Sequence, residues 1–182
     1  MTNLIEKQDG YLKQVAKVMI PLALFVAVAA CGYQLKGTGL SPPEGVRTIS
    51  VTVLENRTSE SGIQTFITSD LAYEFTRSKV LSVVDKETAD AVLSGTVESM
   101  GVDTISHTAS YGSGERRVTI TLNLTLKSRD GKVLWSDAAI SDQEAFEVSG
   151  NKLVTEKNRR TAIEAISERL AEKVHNRILQ DF

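Results

Sequence analysis

Residues 117–127 read Arg117-Val-Thr-Ile-Thr-Leu-Asn-Leu-Thr-Leu-Lys127, with Val118, Ile120, Leu122, Leu124 and Leu126 alternating strictly with polar residues. Successive side chains on a strand project to opposite faces, so this segment buries one face and wets the other. Ser128-Arg-Asp-Gly131 follows, and Asp-Gly predicts a two-residue hairpin turn because both positions tolerate positive φ. Lys132 to Ile140, which contains Trp135, is then the returning strand. Upstream, Ala89 to Val102 reads as a longer strand whose apolar phase shifts between Val97 and Met100, and a bulge near Ser99 or Gly101 accounts for the shift.

A sheet with one apolar face needs a cover, and the flanking segments supply two helices. Ile63, Phe66, Ile67, Leu71 and Phe75 recur at three- and four-residue spacing, which predicts an amphipathic helix from Gly62 to Ser78. Ser61-Gly62-Ile63-Gln64 fits a capping box at its start. Ala162, Ile163, Ile166, Leu170, Val174 and Ile178 mark a longer helix from about Thr155 to the end. Thr48 to Leu54 is a β-branched strand with Ile49, Val51 and Val53 on one face, and Val80 to Val84 is a short one. The expected class is α+β, in β-α-β-β-β-α order: two helices packed on one face of a four-stranded mixed, mostly antiparallel sheet. The helix after the first strand lets that strand pair in parallel with a later one.

The N-terminal region is of another kind. Lys7, Lys13 and Lys17 precede the uncharged run from Val18 to Ala30, which is interrupted by Pro21 and is short for a membrane-spanning helix of roughly 20 residues. It ends in Val28-Ala29-Ala30-Cys31, small residues followed by a thiol, which is a bacterial lipobox. Residues 1–30 are therefore expected to be a signal peptide cleaved between Ala30 and Cys31, with diacylglyceryl and an N-acyl chain carried on Cys31. Cys31 is the one cysteine of the chain, so an intramolecular disulfide is excluded and a modification role gains weight. Two or three acyl chains hold a protein on a membrane where one does not. Gly32, in place of Asp, favours sorting to the outer membrane. Residues 31–45 hold four glycines and Pro42-Pro43 and are read as a lipidated tether, leaving 46–182 as one domain.

Loss of residues 1–30 leaves 18 Lys+Arg against 21 Asp+Glu, a formal −3, which provides no basic field for nucleic acid. No catalytic or metal constellation is found, and no cofactor is expected beyond the covalent lipid: His107 and His175 are far apart, and no serine sits in a nucleophile elbow. Tyr111-Gly-Ser-Gly114 lacks the lysine and helix of a phosphate loop and reads as a hairpin tip. Asp85, Glu87 and Asp90 are read as a solvated connection, and Asp137, Asp142, Glu144 and Glu147 as a solvated strand end. Arg116 and Arg117, Arg129 and Lys132, and the group Lys152, Lys157, Arg159 and Arg160 are either solubilising charge or contacts for an anionic ligand such as a lipid phosphate.

Cys31-Gly-Tyr-Gln-Leu-Lys36 resembles the start of the mature lipopolysaccharide-assembly lipoproteins, the LptE (RlpB) family. The likeness continues through the helix from Gly62, Ala89-Asp-Ala-Val-Leu-Ser-Gly95, Thr108-Ala-Ser110, the alternating strand and the terminal helix. The resemblance implies a non-enzymatic, lipid-anchored outer-membrane protein on the periplasmic side, seated as a plug in the lumen of an LptD-type β-barrel and passing lipopolysaccharide to the outer leaflet. It also implies lipopolysaccharide contact through basic residues, for which Arg116 and Lys157 are the nearest matches. The alternative is a lipoprotein of another envelope secretion or assembly system, similar to the domains of curli-secretion and Tol-associated proteins.

Overall fold

A computed structural model describes residues 42–107 and 114–181. Ala30, Cys31, the tether up to Ser41 and the segment 108–113 lie outside the described residues. The elements run β1 (Thr48–Val51), β2 (Glu55–Asn56), α1 (Ile63–Ser78), β3 (Ser82–Val83), β4 (Ala91–His107), β5 (Gly114–Ser128), β6 (Val133–Val148) and α2 (Lys152–Gln180). The class is α+β. The sheet order is β3-β1-β4-β5-β6, with β2 beside β4. Its four main strands are the expected ones; the two further ladders, β2 and β3, are two residues each. β1 pairs in parallel with both β3 and β4, and β5 is antiparallel to both its neighbours, β4 and β6.

The alternating row on β5 is wholly buried, with its polar partners on the opposite face. Against it pack Ile67, Leu71 and Phe75 of α1 and Ile166, Leu170, Val174 and Ile178 of α2, in one continuous core. Burial of each such aliphatic side chain contributes about 1.5–3 kcal/mol, so this layer sets which face the helices take. His175 belongs to it as well: only 4% exposed, its ring meets Phe75 edge-on at 5.3 Å between centroids.

Local chemistry departs from the sequence reading at several points. The β4 bulge lies between Val97 and Ser99, and a second shift separates Thr104 from Ser106. The hairpin loop has three residues, not two: Gly131 N donates to Ser128 O and Ser128 N to Lys132 O, both at 2.9 Å, and only Gly131 takes positive φ (87°). This is a turn followed by a left-handed glycine, the common three-residue alternative. The capping box does not form, because Gly62 itself is the N-cap (φ 84°) and Ser61 stands one residue too early. Gln64 instead accepts from the Asn56 side-chain amide at 3.0 Å. α2 begins three residues before Thr155, where Asn151 caps it by accepting from Leu153 N at 2.9 Å.

Gly95 is the tightest point of the sheet. It pairs with Leu124, and a Cβ placed there runs into Asn123 O and meets the Leu124 side chain at 2.7 Å. Neighbouring backbone cannot yield by that much, so Gly95→Val is expected to lower unfolding free energy by at least the roughly 1–3 kcal/mol of ordinary overpacking. Urea denaturation measures it; an unchanged midpoint contradicts this account of the β4–β5 contact.

Candidate anionic-lipid interface

Strand direction gives the domain two unlike ends. At one end the chain enters β1, and the 129–131 loop and the C-termini of both helices gather. At the other lie the end of β4, the start of β5, the end of β6 and the first turns of α2. α2, at 29 residues, is about 44 Å long against about 24 Å for the 16 residues of α1, so it runs alongside the far end of the sheet alone.

Many of the basic residues are committed to the fold. Arg159 donates to Glu60 at 2.9 and 3.1 Å and to Glu156 at 2.7 and 3.0 Å, tying α2 to the start of α1, and these carboxylates hold its pKa above the usual guanidinium value. Arg129 clasps Thr88 O at 2.6 Å and Ala89 O at 3.1 Å. Arg169 pairs with Asp142 and Glu144, Lys173 with Asp142, and Arg177 with Asp137. The carboxylates read as a solvated strand end therefore include three that fasten β6 to α2.

Asp90, too, is structural: it accepts from Arg47 N at 3.1 Å and Thr48 N at 3.0 Å, while its own amide donates to the Thr48 hydroxyl at 2.9 Å. The Arg47 amide, then Thr48, hold its carboxyl below the ordinary range. Burial pushes Asp142 up, but the Gln143 amide, Lys173 and Arg169 outweigh it and leave that carboxyl lowered too.

The far-end cations are differently placed. Arg116, Arg117, Lys152 and Lys157 make no ion pair with another described residue. Arg116 is exposed and stands in register with Thr104 and Phe146, in phase with the buried row of β5, so it extends that face just past Val118. Lys157 is exposed on α2 beside Asn158, whose amide donates to Glu147 O at 3.1 Å. The two candidates thus share one end through β6, but no hydrogen bond joins them. Unpaired cations also occur at the entry end, Lys127 and Lys132 among them.

Exposed aliphatics accompany the far-end cations: Leu153 is 80% exposed, Val154 43%, Val102 44% and Ile105 41%; at the entry end Val133, next to Lys132, is 50% exposed. Leu153 and Lys157 are four apart on α2 and so share a stripe. An aliphatic surface beside unpaired cations offers both contacts that an acylated, phosphorylated glycolipid presents. The sequence reading missed Leu153 and Val154 by starting the helix at Thr155; Asn151 was the available signal, since Asn is a favoured N-cap. Among the described residues there is no group of three or more potential metal ligands and no helix long and apolar enough to cross a membrane.

Two solved bacterial lipoproteins share this α+β fold. An uncharacterized lipoprotein B from Nitrosomonas europaea is 14% identical, with a TM-score of 0.54 over 81% of this chain and 90% of that one. A minor lipoprotein from Acinetobacter baumannii is also 14% identical, with a TM-score of 0.51 over 75% and 93%. These likenesses show the fold. Comparison with curated proteins gave no match. The family follows from the sequence model of lipopolysaccharide-assembly LptE, which matches residues 46–178: the chain belongs to the LptE family of lipopolysaccharide-assembly lipoproteins.

The lowered carboxyls of Asp90 and Asp142 give stability a definite pH dependence. A folded-state pKa below the unfolded one contributes stability that is present above the unfolded value, here about 3.8, and is lost as pH falls through the folded pKa. Thermal melts between neutral pH and pH ~2 are expected to show a fall in Tm that steepens below pH ~4, with Asp90→Asn less stable at neutral pH and flatter below it. Parallel curves for the two proteins contradict the role given to Asp90.

Proposed function

We propose that this chain is a lipid-anchored outer-membrane component of the lipopolysaccharide translocon, carried by Cys31, that sits within the lumen of an LptD-type β-barrel and takes part in inserting lipopolysaccharide into the outer leaflet. Its work is binding and assembly, without turnover. The observation that carries this reading is the face of the sheet that no described helix covers. Ser94 pairs with Thr125, Thr96 with Asn123, Ser99 with Thr121, Thr119 with Gln143 and Thr121 with Ser141. Both helices lie on the opposite side, so the central part of this face is built of hydroxyl and amide groups; a charge meets them at its β2 side, where Glu55 accepts from the buried Thr96 hydroxyl at 3.4 Å. The interior wall of an outer-membrane barrel is polar and wet, and short neutral donors and acceptors pack against it without the desolvation cost of buried ions. Family membership points to the same machinery.

Photo-crosslinkers at Thr121 and Asn123 in the full-length chain are expected to capture a large β-barrel protein in outer membranes. Complete absence of barrel adducts from both positions removes this face as the interface.

Arg116 and Lys157 are proposed to hold lipopolysaccharide phosphates, with Leu153 and Val154 beside the acyl region. Arg116→Glu with Lys157→Glu is expected to weaken binding of purified lipopolysaccharide by at least tenfold, which corresponds to about 1.4 kcal/mol, without lowering Tm. Unchanged binding by the folded variant sinks the assignment of these two residues while leaving the barrel reading intact.

A further inference from the structure

The entry end of the domain carries a cleft that neither the core nor the central polar face uses. Lys127 stands in register with Val92, on the face of β5 opposite the buried Leu126, and Ser94 follows Val92 on the same face of β4. The connection from β3 to β4 borders this face, since its Lys86 and Ala89 line, together with Lys127, Val92, Ser94 and Arg129, a cleft of about 430 Å³. Small-molecule sites span roughly 300–1,000 Å³, so the space suits a small group or the head of a larger one.

Three cations line this cleft and, among the described residues, no carboxylate does. Arg129 is built in: Nε donates to Ala89 O at 3.1 Å and Nη2 to Thr88 O at 2.6 Å, which fixes the guanidinium and leaves Nη1 without a hydrogen bond to a described residue. Lys86 and Lys127 are exposed and make no ion pair with a described residue. The carboxylates nearby are placed otherwise. Asp90 Oδ2 accepts from Arg47 N and Thr48 N, and its Oδ1, 3.8 Å from Arg129, offsets that one cation. Asp130 accepts from the Ser128 hydroxyl within the hairpin loop, while Asp85 and Glu87 flank Lys86 in sequence without lining the cleft. Lys86, Lys127, Arg129 and Lys132 against Asp85, Glu87, Asp90 and Asp130 make this end near neutral as a whole, yet the cleft itself holds positive charge only. Like charges around one space repel, and an anion bound among them removes the repulsion.

We infer that the cleft binds a phosphate group, with Lys86 and Lys127 as its mobile point charges and Arg129 as its fixed donor. The donors come from three directions: β5, the hairpin loop and the β3–β4 connection. A carboxylate presents two oxygens in one plane, whereas a phosphate presents three or four around a tetrahedron and can engage all three cations. The phosphate belongs either to a lipid headgroup or to the free ion. The chain carrying Cys31 joins the domain at this end, eleven residues ahead of Pro42, which favours the headgroup; that preference rests on the lipid-anchor reading, and the charge layout of the cleft does not. The site is also separate from Arg116 and Lys157, which stand at the far end of the same sheet.

The test uses the full-length chain purified in a phosphate-free, uncharged maltoside detergent and titrated calorimetrically with inorganic phosphate and, separately, with dihexanoyl phosphatidylglycerol. Binding of at least one probe is expected, weakened about tenfold or more in Lys86→Gln with Lys127→Gln, retained in Lys86→Arg with Lys127→Arg, and changed less than about twofold in Lys132→Gln, an exposed cation outside the cleft. All three positions are exposed, and an unchanged Tm confirms that each variant folds. Tighter binding of the lipid than of the ion assigns the site to a headgroup; equal binding assigns it to the phosphate alone. Absence of binding by both probes, binding that survives the glutamine pair, or an equal loss in Lys132→Gln each overturns the inference. Mass spectrometry of the same preparation scores acylation of Cys31 separately, so failure of the anchor and failure of the cleft are distinguishable.

Discussion

Covering one row of aliphatic side chains, Val118 to Leu126 on β5, is the requirement from which the remaining architecture follows. All five are fully buried, and β5 is flanked along most of its length by β4 and β6. A strand with one wholly apolar face cannot remain in water on that side, so two amphipathic helices must lie across it. Their placement leaves the opposite face free of any described helix, and the sequence already stocks that face with Thr, Ser, Asn and Gln. Core and polar surface are thus two consequences of one alternation.

The unequal helix lengths do the rest. α1 and the short parallel strands cover the sheet near the point of chain entry, while α2 alone continues beside the far ends of β4, β5 and β6. Stabilising ion pairs follow the packed regions: Arg159 joins the helices through Glu60, and Arg169, Lys173 and Arg177 fasten α2 to β6. What remains beyond the packed region is a tip with Arg116, Lys157 and exposed aliphatics. Function in such a molecule resides in surfaces that the core does not consume.

Much of this was legible in the sequence because the relevant signals are periodic. Period-two alternation located β5, period-3.6 apolar spacing located both helices, and the phase change after Val97 located a bulge to within a residue or two. Features that depend on contacts distant in the chain were not legible. Asp90 reads as a loop carboxylate until β1, more than forty residues earlier, places two amides against it. Arg159 looks like its neighbours Lys157 and Arg160 until Glu60, 99 residues away, is found beside it. The hairpin loop and the α1 cap failed for a smaller reason. In each, one glycine takes the left-handed conformation and shifts the turn by a residue, which composition alone does not reveal. Arg116 and Lys157 were singled out by family resemblance, and local pattern has no means of placing them on a common end.

The measurement closest to the central claim is affinity purification of the tagged full-length chain from detergent-solubilised outer membranes, with identification of what co-elutes. The account predicts one large, heat-modifiable β-barrel protein in equimolar amount. Recovery of the chain alone, as a self-oligomer, or with periplasmic proteins and no barrel contradicts it.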